Sequence, residues 1–202
     1  MTIIDAHAHM YRNPEDIDKI VDSGIVHQVW IMNTFYALDK RNSKENRITE
    51  KELLEICKAY KNFFIPFGLL DFRKPSSIVD ELKEKGFMGL KVIMPEKPYN
   101  HLDYYPYYEK AEKLRMPVLF HTGIIAKITR KQAGEKLSLG PGNMRPSMLD
   151  DIAMEFPHLT IIGGHLGWPW MEETLQNLDY YPNIFHDISS GHIGYFLKWI
   201  ID

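Results

Sequence analysis

The sequence predicts an α/β fold built on a parallel sheet, in the manner of a (β/α) barrel. Two observations carry this. Short apolar, β-branched runs alternate with helical stretches of about ten residues, the pattern of βαβ units. Histidines then fall at the C-terminal ends of several of those runs, the face where such barrels collect functional groups. The 202 residues, 45% hydrophobic, can bury a sizeable core, and no composition shift divides them, so residues 1–202 are expected to form a single domain.

Met1-Thr2-Ile3-Ile4 opens the first strand, which runs into Asp5-Ala6-His7-Ala8-His9. Strand alternation points Asp5, His7 and His9 to one face. Pro14 to Ser23 has helical spacing, with Ile17, Ile20 and Val21 on one side, Asn13 as N-cap and Gly24 as stop. Val26 to Met32 is the second strand, and the polar stretch Leu38 to Glu50 a long loop. A helix over Thr49 to Tyr60 follows, then a strand over Phe64 to Leu70 and a helix over Pro75 to Lys85 closed by Gly86. Phe87 to Met94 forms strand four, Tyr104 to Arg115 a helix, and Pro117 to His121 strand five. Residues Ile124 to Arg145 make an irregular excursion, a lid candidate like the earlier loop. A helix over Pro146 to Phe156, strand six over Leu159 to His165, a helix over Trp170 to Leu178, strand seven over Asn183 to Ile188 and a helix from Gly191 complete the pattern.

Composition excludes several classes. Net charge is −3, from 24 basic and 27 acidic residues without a long run of either sign, so no nucleic-acid footprint is present. No apolar run is long enough to span a membrane, and the N-terminus lacks the organisation of a signal peptide. The single cysteine, Cys57, sits in an apolar-periodic helix as a small buried hydrophobe and suits a reducing compartment. These features predict a soluble, cytoplasmic, globular protein.

His7 and His9 can share one cation, because neutral imidazole is a common metal ligand. His-x-His also arises by chance, and what gives it weight is company. His9, His121 and His165 close three different strands, Lys91 stands near the end of strand four, and Asp187 near the end of strand seven. Packing alone explains such a set poorly, since buried histidines are costly. His186, next to Asp187, is expected to face the other way.

Ile4-Asp5-Ala6-His7-Ala8-His9, Gly89-Leu90-Lys91, Pro117 to Gly123, Arg145-Pro146, and Phe156-Pro157-His158-Leu159 with Gly163-Gly164-His165-Leu166-Gly167 resemble the amidohydrolase-2 group of the amidohydrolase superfamily, relatives of aminocarboxymuconate-semialdehyde decarboxylase. The resemblance runs nearly end to end and implies a TIM-like (β/α) barrel of the metal-dependent hydrolase type. It implies that His7, His9 and His121 hold one divalent metal, most often zinc, and that His165 carries out acid–base chemistry. The group's last ligand, an aspartate in a Gly-Ser-Asp-x-Pro motif at strand eight, has no counterpart in the sequence; Asp187 matches the strand-seven signature instead. The chain is also shorter than the ~250 residues typical of this barrel. The expectation is therefore a barrel lacking its eighth βα unit, either a shortened family member (slightly favoured) or a seven-stranded variant. Unpaired edges on strands one and seven would admit a homo-oligomer.

Three histidines and a water make a workable zinc site, and bound zinc lowers the pKa of that water to about 7. His165 then serves as base to the water or acid to the leaving group. Lys91, Arg145 and Asp187 are the substrate-binding candidates: Lys91 for a substrate carboxylate, Arg145 for bidentate capture of an anion, Asp187 as a site wall. Asp5 is either an outer partner of a ligand histidine or a polar residue buried at the barrel floor. The function that follows is a metal-dependent hydrolase acting on a small carboxylated or cyclic substrate through a metal-activated water. The alternatives are a non-oxidative decarboxylase on the same scaffold and a metal-binding protein with impaired catalysis.

Overall fold

The computed structural model describes residues 2–9, 14–32, 48–125 and 141–189. Most of both lid candidates, Asn13 and the helix expected from Gly191 lie outside these residues. The described strands are β1 (Ile4–His9), β2 (Gln28–Met32), β3 (Phe64–Leu69), β4 (Gly89–Val92), β5 (Val118–Phe120), β6 (Ile161–Gly163) and β7 (Ile184–His186). They form one sheet in the order β1-β2-β3-β4-β5-β6-β7, every neighbouring pair parallel. The intervening helices are α1 (Pro14–Asp22), α2 (Glu50–Ala59), α3 (Ile78–Lys85), α4 (Tyr105–Lys113), α5 (Met148–Glu155) and α6 (Met171–Tyr180). Chain order and sheet order coincide, as in a β/α barrel. Seven strands are present among the described residues, matching the expected absence of an eighth.

Local chemistry sets several boundaries. Thr49 caps α2: its hydroxyl accepts from the Glu52 N–H, and the Glu52 carboxylate accepts from the Thr49 N–H, a reciprocal capping box. α3 ends at Gly86, whose φ of 102° is open to glycine at little cost. β4, β5 and β6 are buried throughout, as expected of central parallel strands covered on both faces.

Strand parity divides the core. Val29 and Ile31 of β2, Phe64 of β3, Val118 and Phe120 of β5 and Ile161 of β6 belong to the large cluster shared with the helices. Met32, Phe67, Leu119 and Ile162, on the other face of those strands, form a second and smaller cluster that fills the inner side of the curled sheet. Gly89 lies on that inner face: a Cβ there would come within 2.4 Å of the Phe67 ring. Two residues further along their strands, Lys91 follows Gly89, His121 follows Leu119 and Asp187 follows Phe185. Alternation therefore carries all three side chains to the inner face at the C-terminal rim.

Two expectations change at this level. The register of β1 on β2 shifts between Asp5 and Ala8, one extra residue on β1 breaking the simple alternation. Asp5 is exposed, and its carboxylate accepts the backbone N–H of His7 at 3.1 Å. It is neither buried at the floor nor aligned with the two histidines as a third member of their face. Strand six also ends earlier than expected, at Gly163, so that His165 opens a short 3₁₀ turn (His165–Gly167). His165 and Leu166 have φ of 59° and 49°, a left-handed pair rare for residues with side chains.

Candidate metal centre

Four imidazoles form a row above the inner core. The ring centroids of His9 and His7 are 5.3 Å apart, those of His7 and His165 4.7 Å, and those of His165 and His121 4.5 Å. His7, His9 and His121, the three proposed from the sequence, thus lie in one row, with His165 standing between His7 and His121. β1 delivers the first two, the end of β5 delivers His121, and the left-handed turn after β6 swings His165 inward. Backbone bonds hold these ends in place: His121 N–H to Val92 O, Gly164 N–H to Phe120 O, and Leu166 N–H to Asp187 O. Tyr99, wholly buried, donates its hydroxyl to His121 O at 2.9 Å.

Burial keeps the rings neutral. It pushes His7 down to about 4 and His9 to about 3, with nearby positive charge adding to the effect. His121 falls well below its ordinary value, first through burial and then through His165 and Lys91; His165 is lowered by burial and by Lys91. Each ring therefore carries one N–H and one lone pair near neutral pH.

The partners assign which nitrogen is which. His121 Nε2 faces the Ile124 carbonyl at 3.3 Å, and His165 Nδ1 faces the Ser189 carbonyl at 2.7 Å. Carbonyls only accept, so both of these nitrogens bear the hydrogen. His121 Nδ1 and His165 Nε2 are then left as lone pairs facing each other at 3.1 Å. That contact repels unless a cation lies beside it. Two nitrogens on one metal ion, each about 2.0–2.1 Å from it, stand roughly 3–3.5 Å apart. The donor set fits a divalent metal.

Lys91 and Asp187 meet at the same place. Lys91 is entirely buried, and its Nζ donates to His7 Nε2 at 3.0 Å. Burial pushes this amine down to about 7, against the pull of the Asp187 charge. Asp187 Oδ2 accepts from His7 Nδ1 at 2.8 Å. Its Oδ1 accepts from the backbone N–H groups of His165 at 2.9 Å and Ser189 at 3.0 Å, and from the Ser189 hydroxyl. Burial opposes ionisation of Asp187, yet these donors outweigh it and hold the carboxyl well below the usual range. Donor atoms of His7, His165 and Asp187 all lie within 4.8 Å of one another. Asp187 therefore makes the carboxylate contact with a histidine ring that was considered for Asp5.

Arg145 is engaged elsewhere, ion-paired with Glu173 and lying 5.1 Å over the Trp170 ring. His186 faces away from the cluster as expected, with Nε2 on Asn177 Oδ1 at 3.0 Å. Ser189 carried no role in the sequence reading; its signal is the Asp187-x-Ser189 spacing, which lets the hydroxyl fold back onto the carboxylate. Cys57 is buried, and burial pushes its thiol up to about 12, consistent with a packing role. A cleft of about 400 Å³ opens beside the ends of β3 and β4, between Leu70, Arg73, Met94, Lys97 and Tyr104; no histidine of the row lines it. No helix among the described residues is long and apolar enough to cross a membrane.

No curated protein sequence matches the chain. Solved structures do. The 2,6-dihydroxybenzoate decarboxylase from Rhizobium superposes with a TM-score of 0.65 at 16% identity, over 100% of this chain and 84% of that one. A probable 2-pyrone-4,6-dicarboxylic acid hydrolase from Acinetobacter baumannii, with citric acid bound, gives 0.56 at 13%, over 94% and 71%. The 5-carboxyvanillate decarboxylase of Novosphingobium aromaticivorans, with bound manganese, gives 0.53 at 14%, over 91% and 60%. These likenesses establish the barrel fold. The Amidohydro_2 family model, described as amidohydrolase, matches residues 4–195, and the chain belongs to that family.

Proposed function

We propose that this chain is a metal-dependent hydrolase acting on a small carboxylated or cyclic substrate, with water as the nucleophile. The observation that supports it best is the row of four buried imidazoles, with ring centroids 5.3, 4.7 and 4.5 Å apart in succession. His7, His9 and His121 are the proposed ligands, and zinc the proposed ion. When bound, a divalent cation supplies Lewis acidity to a water or a substrate carbonyl. His165, anchored through Nδ1–H on the Ser189 carbonyl, presents Nε2 as the base that takes a proton from water and later returns it to the leaving group. Its left-handed backbone aims that nitrogen into the row, the kind of strain that accompanies functional sites. The buried Lys91 amine lies against the same space and is the proposed contact for developing negative charge or a substrate carboxylate. Asp187 walls the site, and Arg145 is the proposed outer contact for an anionic substrate. The substrate is a small molecule, and the proposed location is the cytoplasm.

Non-oxidative decarboxylation is the second reading, supported by the decarboxylases among the structural neighbours. There His165 would protonate the carbon that loses carbon dioxide.

The test begins with metal content by elemental analysis. About one equivalent of zinc or manganese is expected in the wild type, and its loss in the His7→Ala/His121→Ala double variant. Unchanged metal content in that variant would remove the ligand assignment. Lactones, amides and carboxylated aromatics are then supplied, with carbon dioxide release separating lyase from hydrolase. Stoichiometric metal with no turnover of any class would favour a binding protein.

A further inference from the structure

Asp187 engages four donors, and this bears on its role. Oδ2 accepts the His7 Nδ1 hydrogen at 2.8 Å, while Oδ1 accepts from His165 N, Ser189 N and the Ser189 hydroxyl. Oδ1 is fully engaged by its three donors, and Oδ2 spends one of its two lone pairs on His7. That His7 bond fixes a tautomer. With the hydrogen on Nδ1, the His7 lone pair is on Nε2, the atom that meets Lys91 Nζ at 3.0 Å. We propose that Asp187 is a positioning residue: it sets His7 to offer Nε2, the nitrogen that now meets Lys91, toward a metal. The proposal rests on the reading of the histidine row as a metal centre. A carboxylate behind a ligand imidazole orients the ring and raises its basicity, and its loss typically weakens metal affinity 10- to 100-fold. Asp187 also links the two ends of the sheet, since His7 belongs to β1 and Asp187 follows β7.

The alternative is direct ligation by Asp187 together with His7 and His165, whose donor atoms are close enough for it. Cobalt(II) separates the two. Metal-free 202-residue chain is titrated with Co²⁺ against a chromophoric chelator, and the visible absorption is recorded at saturation. Asp187→Asn should bind Co²⁺ about 10- to 100-fold more weakly, with the band shape of the wild type retained once saturated. A changed band shape or intensity at saturation identifies Asp187 as a ligand and overturns the proposal, as does unchanged affinity. Nitrogen-15 NMR of the histidine rings in the metal-free wild type gives a second reading that needs no variant. His7 is expected with its hydrogen on Nδ1; a hydrogen on Nε2 overturns the proposal. Wild-type chain that takes up no Co²⁺ defeats the metal reading itself, whatever tautomer His7 shows.

Discussion

The amine of Lys91 lies 3.0 Å from Nε2 of His7, in a position with no exposure to solvent. A lysine buried this way is held near neutrality, where half its population carries no charge, and the metal-free protein should register that in its stability.

Burial lowers Lys91 from 10.5 to about 7. Between those values the unfolded chain holds a proton that the folded state has released, so raising the pH favours folding throughout that window. Below about 7 both states are protonated, and the cost of burying the ammonium is constant and greatest. Lys91→Met removes this term. In chelator-treated protein, wild-type urea midpoints should therefore climb relative to the variant between pH 7 and 10. A constant difference across that range would mean that Lys91 keeps an ordinary pKa.

Gly163 tolerates no side chain. A Cβ there would come within 2.2 Å of His186 Cε1 and 2.4 Å of its Nδ1, on a ring tethered to Asn177. Gly163→Ala is expected to cost about 1–3 kcal/mol through overpacking. His186→Ala introduced alongside should recover part of that loss, a coupling visible in a double-mutant cycle by thermal denaturation.

The α2 capping box offers a control far from the metal centre. Thr49→Ala removes the hydroxyl that accepts from Glu52 N–H, and about 1 kcal/mol of stability with it. Metal affinity should not change. A parallel fall in Co²⁺ affinity would show that the histidine row senses global stability, and the Asp187 measurements would then be read against this variant.

Arg145 is half-exposed in its pair with Glu173, whose carboxylate also accepts from Ser147 N–H at 3.1 Å. A surface-exposed pair of this kind adds little to stability. Arg145→Met should therefore leave the melting temperature nearly unchanged while raising KM for a carboxylated substrate about tenfold, with kcat preserved, as expected when uniform binding is lost. An unchanged KM would confine Arg145 to its contacts with Glu173 and Trp170.

Much of this arrangement was legible in the residues, and the reasons differ from part to part. Strand and helix order follows from periodicity and punctuation, which are local. The inward aim of Lys91 and His121 follows from period-two alternation once a strand is located, and the outward aim of His186 follows from the same rule. Alternation failed at β1, where a bulge is invisible in the pattern Ile4-Asp5-Ala6-His7, so Asp5 was considered for a contact with a histidine ring that Asp187 makes. It failed again after β6, where two non-glycine residues adopt left-handed backbone that no propensity favours. The bond between His7 and Asp187 joins residues 180 apart. Only the closure of the curled sheet brings them together, and no local signal encodes that.

The sheet order carries a consequence for how the molecule comes into being. Each strand pairs with its sequence neighbour, so the sheet can grow one βα unit at a time through contacts of modest separation. The link between His7 and Asp187 is the opposite kind of contact, a loop closure spanning almost the whole chain. On a ribosome, His7 and His9 emerge first and wait through six further strands for the carboxylate that orients one of them. On the proposed reading, metal capture would follow the docking of β7, and a loaded site would report that docking.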